Sequence, residues 1–490
     1  MKKQVKKCLK KFLVVMLTLV LMMPAFTDIA YADETGSDFV ILDGILLFYT
    51  GNGGKVTIPD DVEMIYNNAF AYCGDKLTEI KIPDSVVYIG DNVFNQCTKL
   101  TKIAFSKKIS YIGKDAFAGT KWLKDQQKKN PLVVVNGILV DGSACKGKVT
   151  IPSKVKSIGP SAFSDNQTIT GVKIPGNVKY IELSAFQNCT NLTDITISKK
   201  VKAIRAYAFD NTKWMQQQWK KNPCVVINGI LVSCDPSQKN VKIPDGVTEI
   251  GDAAFQQCMI SGAIKLPKSV KRVGVVAFYL CDNLKSVTLS NGIQTIDAGA
   301  FSTCRNLTRI SIPKSVNKIG EQAFKQCTGL TSIDLSKSRV KNIGSNAFEG
   351  CKKLKSVKFP NTLTSIGEEA FKDCEKLESI TLSNKLKSIN NYTFQNCICL
   401  KKIAIPNSVE SIGENAFNSC LSLQEIIIPE SVKKIEKEAF CYCKLLNKVV
   451  IPDTIRDIDH TAFVLCDSIT DVTAPERYMY LFKSKQGTGF

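Results

Sequence analysis

Histidine is all but missing: His460 is the one histidine among 490 residues. Imidazole acid–base catalysis and the common zinc sites therefore have almost nothing to work with. His460 stands at a variable position just before an Ala-Phe pair, where a solvated side chain is expected. The chain also lacks a G-x-x-x-x-G-K-[ST] phosphate loop, a G-x-S-x-G nucleophile turn and an H-E-x-x-H pair. Adjacent acids such as Glu368-Glu369 fall at variable places and read as solvated surface. The sequence points away from an enzyme and away from a bound cofactor or metal.

No apolar run is long enough to cross a bilayer as a helix, which takes ~20 residues. The run from Phe12 to Met23 follows Lys2, Lys3, Lys6, Lys7, Lys10 and Lys11 and precedes Pro24 and an Ala30-Tyr31-Ala32 pattern. Residues 1–32 therefore read as a secretory signal peptide, with Cys8 on the wrong side of the run for lipid attachment. The expected mature protein is secreted or associated with the cell surface and does not span the membrane. Its formal charge falls from +20 to +15, since six lysines and Asp28 leave with the signal. Runs of five or six like charges are absent as well. Dispersed lysines keep a long chain soluble, but they also draw a basic extracellular protein to anionic polymers in a salt-dependent way.

What is abundant is repetition. Phenylalanine recurs at 70, 94, 117, 163, 186, 209, 255, 278, 301, 324, 348, 371, 394, 417, 440 and 463, in steps of 23 with two of 24 and two of 46. Such a period marks stacked rungs, each too small to bury its own apolar face and each covering the next. One elongated domain is expected. In the unit Leu307-Thr-Arg-Ile310-Ser-Ile312-Pro313-Lys-Ser-Val316-Asn-Lys-Ile319-Gly320-Glu-Gln-Ala323-Phe324-Lys-Gln-Cys327, Ile310 and Ile312 alternate with polar residues as a half-buried strand requires. Pro313 stops the ladder, having no N–H. Val316 and Ile319 form a second extended piece, Gly320 supplies a conformation closed to other residues, and Ala323, Phe324 and Cys327 suggest a short helical or 3-10 turn. Stacking turns the Ile, Val, Phe and Cys positions into columns and the strands into one parallel sheet on the concave side.

The pattern I-P-x-S-V-x-x-I-G-x-x-A-F-x-x-C resembles the BspA-like leucine-rich-repeat family of bacterial surface and secreted proteins, from about Val56 to about Pro475. The resemblance implies a right-handed leucine-rich-repeat solenoid and a role in surface binding or adhesion. The organisation expected is a hairpin cap (33–55), repeats (56–119), a helix-plus-hairpin insert (120–148), repeats (149–211), a second insert (212–240), repeats (241–475) and a C-terminal cap or tail (476–490). Val-Val-x-Asn-Gly-Ile-Leu-Val in both inserts, and Phe39-Val-Ile-Leu-Asp43-Gly44-Ile-Leu-Leu47 at the start, are hairpin signals, strand pairs around Asn-Gly or Asp-Gly turns.

Thirteen of nineteen cysteines sit three residues after a repeat phenylalanine, which fits a column of buried free thiols. Thr120, Asn166 and Thr212 fill the same slot, and Cys145, Cys224, Cys234, Cys399 and Cys441 fall outside it. Trp122 and Trp214, at equivalent places in the inserts, are expected to pack the short helices on the solenoid. Trp219 is the candidate exposed aromatic. The outward strand positions form a small Ser/Thr-rich face dotted with cations, of which Arg309, Lys358, Lys402 and Lys448 are the candidate partner-binding residues. Without aromatics it does not suit stacked nucleic-acid bases. An extracellular protein, of host or bacterial origin, is the expected partner, with an anionic polymer or glycan as the alternative.

Overall fold

The structure is a computed structural model that describes residues 37–483; the expected signal peptide (residues 1–32) and the tail beyond Lys483 lie outside the described residues. The chain divides into two compact units at Gln217/Gln218, where the repeat count alone suggested one continuous domain. The division falls inside the second insert, and every sheet lies wholly within one unit.

Each rung contributes two strands and a turn. The Ile-x-Ile strands stack in parallel, as in Ser286–Arg309, Val287–Ile310 and Thr288–Ser311. They form a series of three- and four-stranded segments, together the first sheet, with the central residue buried and its neighbours facing outward. Proline closes that strand: the carbonyl of Pro313 accepts the amide N–H of Val316 across a tight turn. The second extended piece also makes a sheet, contrary to the expectation of a single one. Its strands are two residues long, Thr295–Ile296, Lys318–Ile319 and Asn342–Ile343, each in parallel register with the next. A strand that short shows no alternation, so its pairing is invisible to pattern reading.

Gly320 does not take up a left-handed conformation. A Cβ there would lie 2.6 Å from the backbone nitrogen of Ala298, so the glycine lets one rung pass close to the rung before. The left-handed residues are Gln322 and Gln326, two before and two after Phe324, at φ 54° and 59°. Between them the chain makes i→i+3 turns, such as Lys325 N–H to Gln322 O and Cys327 N–H to Phe324 O. The left-handed residues keep these turns from growing into a helix, and within the repeats only Ala71–Cys73 becomes regular 3-10.

The core is a set of columns. Phe301, Phe324 and Phe348 are fully buried, with successive ring centroids 5.5 and 5.2 Å apart and rings within 7° of parallel. At this spacing the rings pack offset and exclude water from both faces. The thiol of Cys327 donates to Phe301 O at 3.0 Å and that of Cys351 to Phe324 O at 3.2 Å, each reaching the preceding rung. Each such carbonyl thus accepts an amide from its own rung and a thiol from the next. Burial pushes the Cys73 thiol up to about 11 and the Cys97 and Cys351 thiols up to about 12. Thiolate is therefore scarce at neutral pH, and alkylation of the native protein is expected to be slow and to speed up as pH rises. Under denaturation, in protein prepared without oxygen, about ten or more of the ladder thiols are expected to react. A count of two or fewer would establish a disulfide framework instead.

The inserts are a helix and a hairpin, as the sequence indicated. Helix α1 (Lys121–Lys129) starts at Thr120, and helix α2 (Lys213–Lys221) starts just after Thr212. Both threonines occupy the thiol slot. Thr120 accepts the Leu123 amide and donates to Phe117 O, and Thr212 does the same with Met215 and Phe209 O. Trp122 and Trp214 are buried against Phe117 and Phe209, ring centroids 4.9 and 5.2 Å apart. Asn166, also in the thiol slot, is buried and donates to the carbonyls of Gly142, Ser143 and Cys145. In each hairpin the second strand joins the second sheet: Ile138–Asp141 pairs with Ser157–Ile158, and Ile230–Cys234 with Glu249–Ile250. At the other end Phe482, in helix α3 (Tyr480–Lys483), covers the last repeat ring, Phe463, at 5.2 Å.

Candidate binding face

The first sheet of the second unit presents two rows. The register puts Ser332, Ser356, Ser379 and Lys402 in one row and Asp334, Lys358, Thr381 and Ala404 in the other. Further on, Glu425, Lys448 and Asp471 continue the first row, and Ile427, Val450 and Thr473 the second. Strand alternation positions these side chains: Ile333, Val357, Ile380, Ile403 and Ile426 face the core, which turns their neighbours to solvent. The outcome is a surface of short hydroxyls, isolated charges and one large apolar side chain, Ile427, which is 53% exposed.

The four candidate cations fall on three segments, Arg309 on one, Lys358 and Lys402 on the next and Lys448 on the third, and do not form a stripe. Arg309, Lys402 and Lys448 belong to one row and Lys358 to the other. From Arg309 to Lys448 is six strand steps, about 29 Å at the usual strand spacing. Acids stand among them: Asp334 is the cross-strand neighbour of Lys358, and Asp471 lies 3.6 Å from Lys448. Hydrogen bonds from the Ser336 hydroxyl and amide hold Asp334 below the usual carboxylate range, with Lys358 adding to the effect. Charges of both signs therefore alternate over the face.

Trp219, in α2, is half-buried rather than free, its indole N–H without a partner among the described residues. Open hollows recur where first-sheet strands run into the proline corner. One is lined by Arg309, Ser311, Ser332, Asp334 and Lys337, another by Lys358, Phe359, Pro360 and Asn384. Among the described residues no group of three or more His, Cys, Asp or Glu is placed to hold a metal ion.

Two features of the second sheet escaped the sequence reading. Tyr88 and Tyr111 stack at 4.7 Å and 9° on its outer face. Arg272 ties three rungs together, bonding Glu249, Asp252 at 2.8 Å and Asp297. The signal was present in the spacing: Glu249 lies 23 positions before Arg272 and Asp297 25 after it. Aligning the rungs brings opposite charges into neighbouring places.

The family model described as BspA type Leucine rich repeat region (6 copies) matches residues 47–133, 143–230, 226–339, 325–446 and 364–484. No curated protein matches the chain. Among solved structures the chain is similar to a leucine-rich repeat protein from Bacteroides ovatus, 24% identical over 94% of this chain and 96% of that one, TM-score 0.42. It is also similar to the Leucine Rich Repeat protein of T. pallidum, 32% identical over 33% of this chain and 77% of that one, TM-score 0.31. A leucine rich cell surface protein from Faecalibacterium prausnitzii is 20% identical over 95% of this chain and 99% of that one, TM-score 0.26.

Proposed function

The chain belongs to the BspA-type leucine-rich-repeat family, and from that premise we propose that it is a non-catalytic binding scaffold, secreted or held at the cell surface, that captures a protein on host or neighbouring cells. The observation that carries this reading is the face of the first sheet: exposed and mixed in charge, with Ile427 as an apolar anchor beside Glu425, Lys448 and Asp471. A surface that alternates sign suits a partner with complementary charges at defined places, because like-charge mismatches penalise wrong partners. Among the described residues no helix is long and apolar enough to cross a membrane.

The formal charge of +15 expected for the mature chain favours a second reading, capture of anionic wall polymers or glycans by charge alone. The two differ in salt dependence and in where mutations act. Long-range attraction to a polyanion fades as salt shortens the screening length, whereas a fitted protein contact persists. The mature chain is therefore to be used for pull-down from host extracellular extract at low and high salt.

The matching variant reverses Arg309, Lys358, Lys402 and Lys448 to Glu. Its control reverses Lys271, Lys318, Lys341 and Arg456, exposed cations on or beside the second sheet. Lys325 and Lys372 are unsuitable as controls, being tied to Glu349 and Glu369. Each exposed charge is worth little alone, but four together are expected to lower capture roughly tenfold or more, with the control near wild type. Equal losses in the two variants would replace the protein reading with the polymer one.

A further inference from the structure

Two cysteines outside the repeat column face each other across the hairpin that opens the second unit. Cys224 and Cys234 are direct partners in the antiparallel register of Cys224–Ile227 and Ile230–Cys234, with their sulfurs 4.0 Å apart. Their amides point away from each other: Cys234 N–H goes to Ala254 O, and Cys224 N–H to the Asn222 side chain. The flanking bond runs from Asp235 N–H to Pro223 O. That pattern defines a non-hydrogen-bonded pair, the site where cross-strand side chains come closest. Backbone positions at such a pair fall within the Cα separation a disulfide needs, so side-chain rotation alone can close the remaining gap between the sulfurs.

The other hairpins show that this position is a contact point. The N-terminal hairpin has the same register and places Phe39 opposite Tyr49, rings 5.0 Å apart. The middle hairpin carries Leu132 and Gly142 in the corresponding sequence places. Most ladder thiols differ in donating to a phenylalanine carbonyl of the preceding rung, as Cys304 does to Phe278 O at 3.0 Å. Beyond each other, Cys224 and Cys234 make long carbonyl contacts, 3.9 Å to Lys242 O and 3.8 Å to Asp235 O, and Cys234 also meets the ladder thiol Cys258.

We propose that Cys224 and Cys234 form a disulfide that staples this hairpin, through exchange with a small extracellular disulfide. One protein thiol, as thiolate, attacks a sulfur of the small disulfide, forming a mixed disulfide and expelling one small thiol. The second protein thiol then attacks the protein sulfur of that mixed disulfide and expels the other small thiol. Two protein thiols are oxidised, one small disulfide is reduced to two thiols, and the two protein protons end on the departing sulfurs. Both cysteines are buried; the contact with Cys234 and burial raise the Cys224 thiol, while the Cys234 thiol, which its contact with Cys224 lowers, is raised on balance by Cys258 and by burial. The exchange is accordingly slow in the closed hairpin and proceeds when the edge strand Cys224–Ile227 opens, or during folding.

The test uses the full mature chain refolded from the reduced, denatured state in a buffer of reduced and oxidised glutathione, then denatured, alkylated and digested with trypsin. Both cysteines fall in one peptide, Asn222–Lys239. That peptide is expected to carry no alkyl group and to weigh two hydrogens less than its reduced form, while the peptides holding Cys304 and Cys327 are alkylated. Hydrogen exchange of the hairpin amides is expected to slow about tenfold or more relative to protein refolded with reductant only. Full alkylation of Asn222–Lys239 in correctly refolded protein overturns the proposal. So does a cross-link from Cys234 to Cys258, whose thiol lies 3.7 Å from Cys234 O. In Cys224→Ser the folded protein is expected to keep Cys234 alkylatable, or capped by glutathione, and an exchange rate matching the reduced wild type.

Discussion

Replacing Phe324 with alanine is expected to destabilise the second unit by about 3–5 kcal/mol, the usual cost of truncating a buried aromatic. The ring is fully buried between Phe301 and Phe348, and its removal takes packing from both of them at once. Collapse into the gap is blocked because the rungs on either side are pinned by the Cys327 and Cys351 thiol bonds and by parallel strands. Urea unfolding followed by circular dichroism measures the loss. Phe324→Leu, which keeps much of the volume, is expected to cost markedly less. An unchanged midpoint in Phe324→Ala would remove the stacked-column account of the core.

Arg272→Met is expected to cost about 2–4 kcal/mol, well above an ordinary surface ion pair. The guanidinium is only 24% exposed and serves three carboxylates on the rungs before and after its own, of which that of Asp252 is 7% exposed. Without it the three acids face one another with no cation between them. Lysine does not restore the site, because a single ammonium cannot supply the planar fork that reaches all three. Arg305→Ala is the contrast: its bond to Asp282 joins side chains 54% and 42% exposed, and its loss is expected to cost less than about 1 kcal/mol. Thermal and urea unfolding of the two variants side by side checks the difference, and equal effects would show that the Arg272 cluster behaves as solvated surface.

The columns were legible because they repeat. Sixteen phenylalanines fixed the rung, Ile310 and Ile312 gave the first strand, and Asn136-Gly137 and Asn228-Gly229 gave the hairpins. What stayed hidden depends on neighbours in space. Lys318–Ile319 is too short to show strand periodicity, so the second sheet appears only when its rungs are paired. Gly320 looked like a turn residue, yet its role is to give room to the backbone of Ala298. The left-handed positions fall to Gln322 and Gln326, residue types that give no turn signal. The candidate cations of this face were identified one by one, but whether they gather depends on which row each joins. Lys358 sits beside Asp334 and Lys448 beside Asp471, and neither pairing shows in the order of residues along the chain.

The slot three residues after each phenylalanine has a genetic consequence. A thiol there sends its bond sideways to the previous rung, as Cys327 does, and coupling passes along the stack. A threonine there bonds within its own turn, to Phe117 O or Phe209 O, and accepts the first amides of a helix. Exchanging one sulfur-bearing codon for one oxygen-bearing codon thus alters where the chain is free to leave the coil. Among the described residues, threonine at this address stands at both places where a helix and a hairpin leave the repeat.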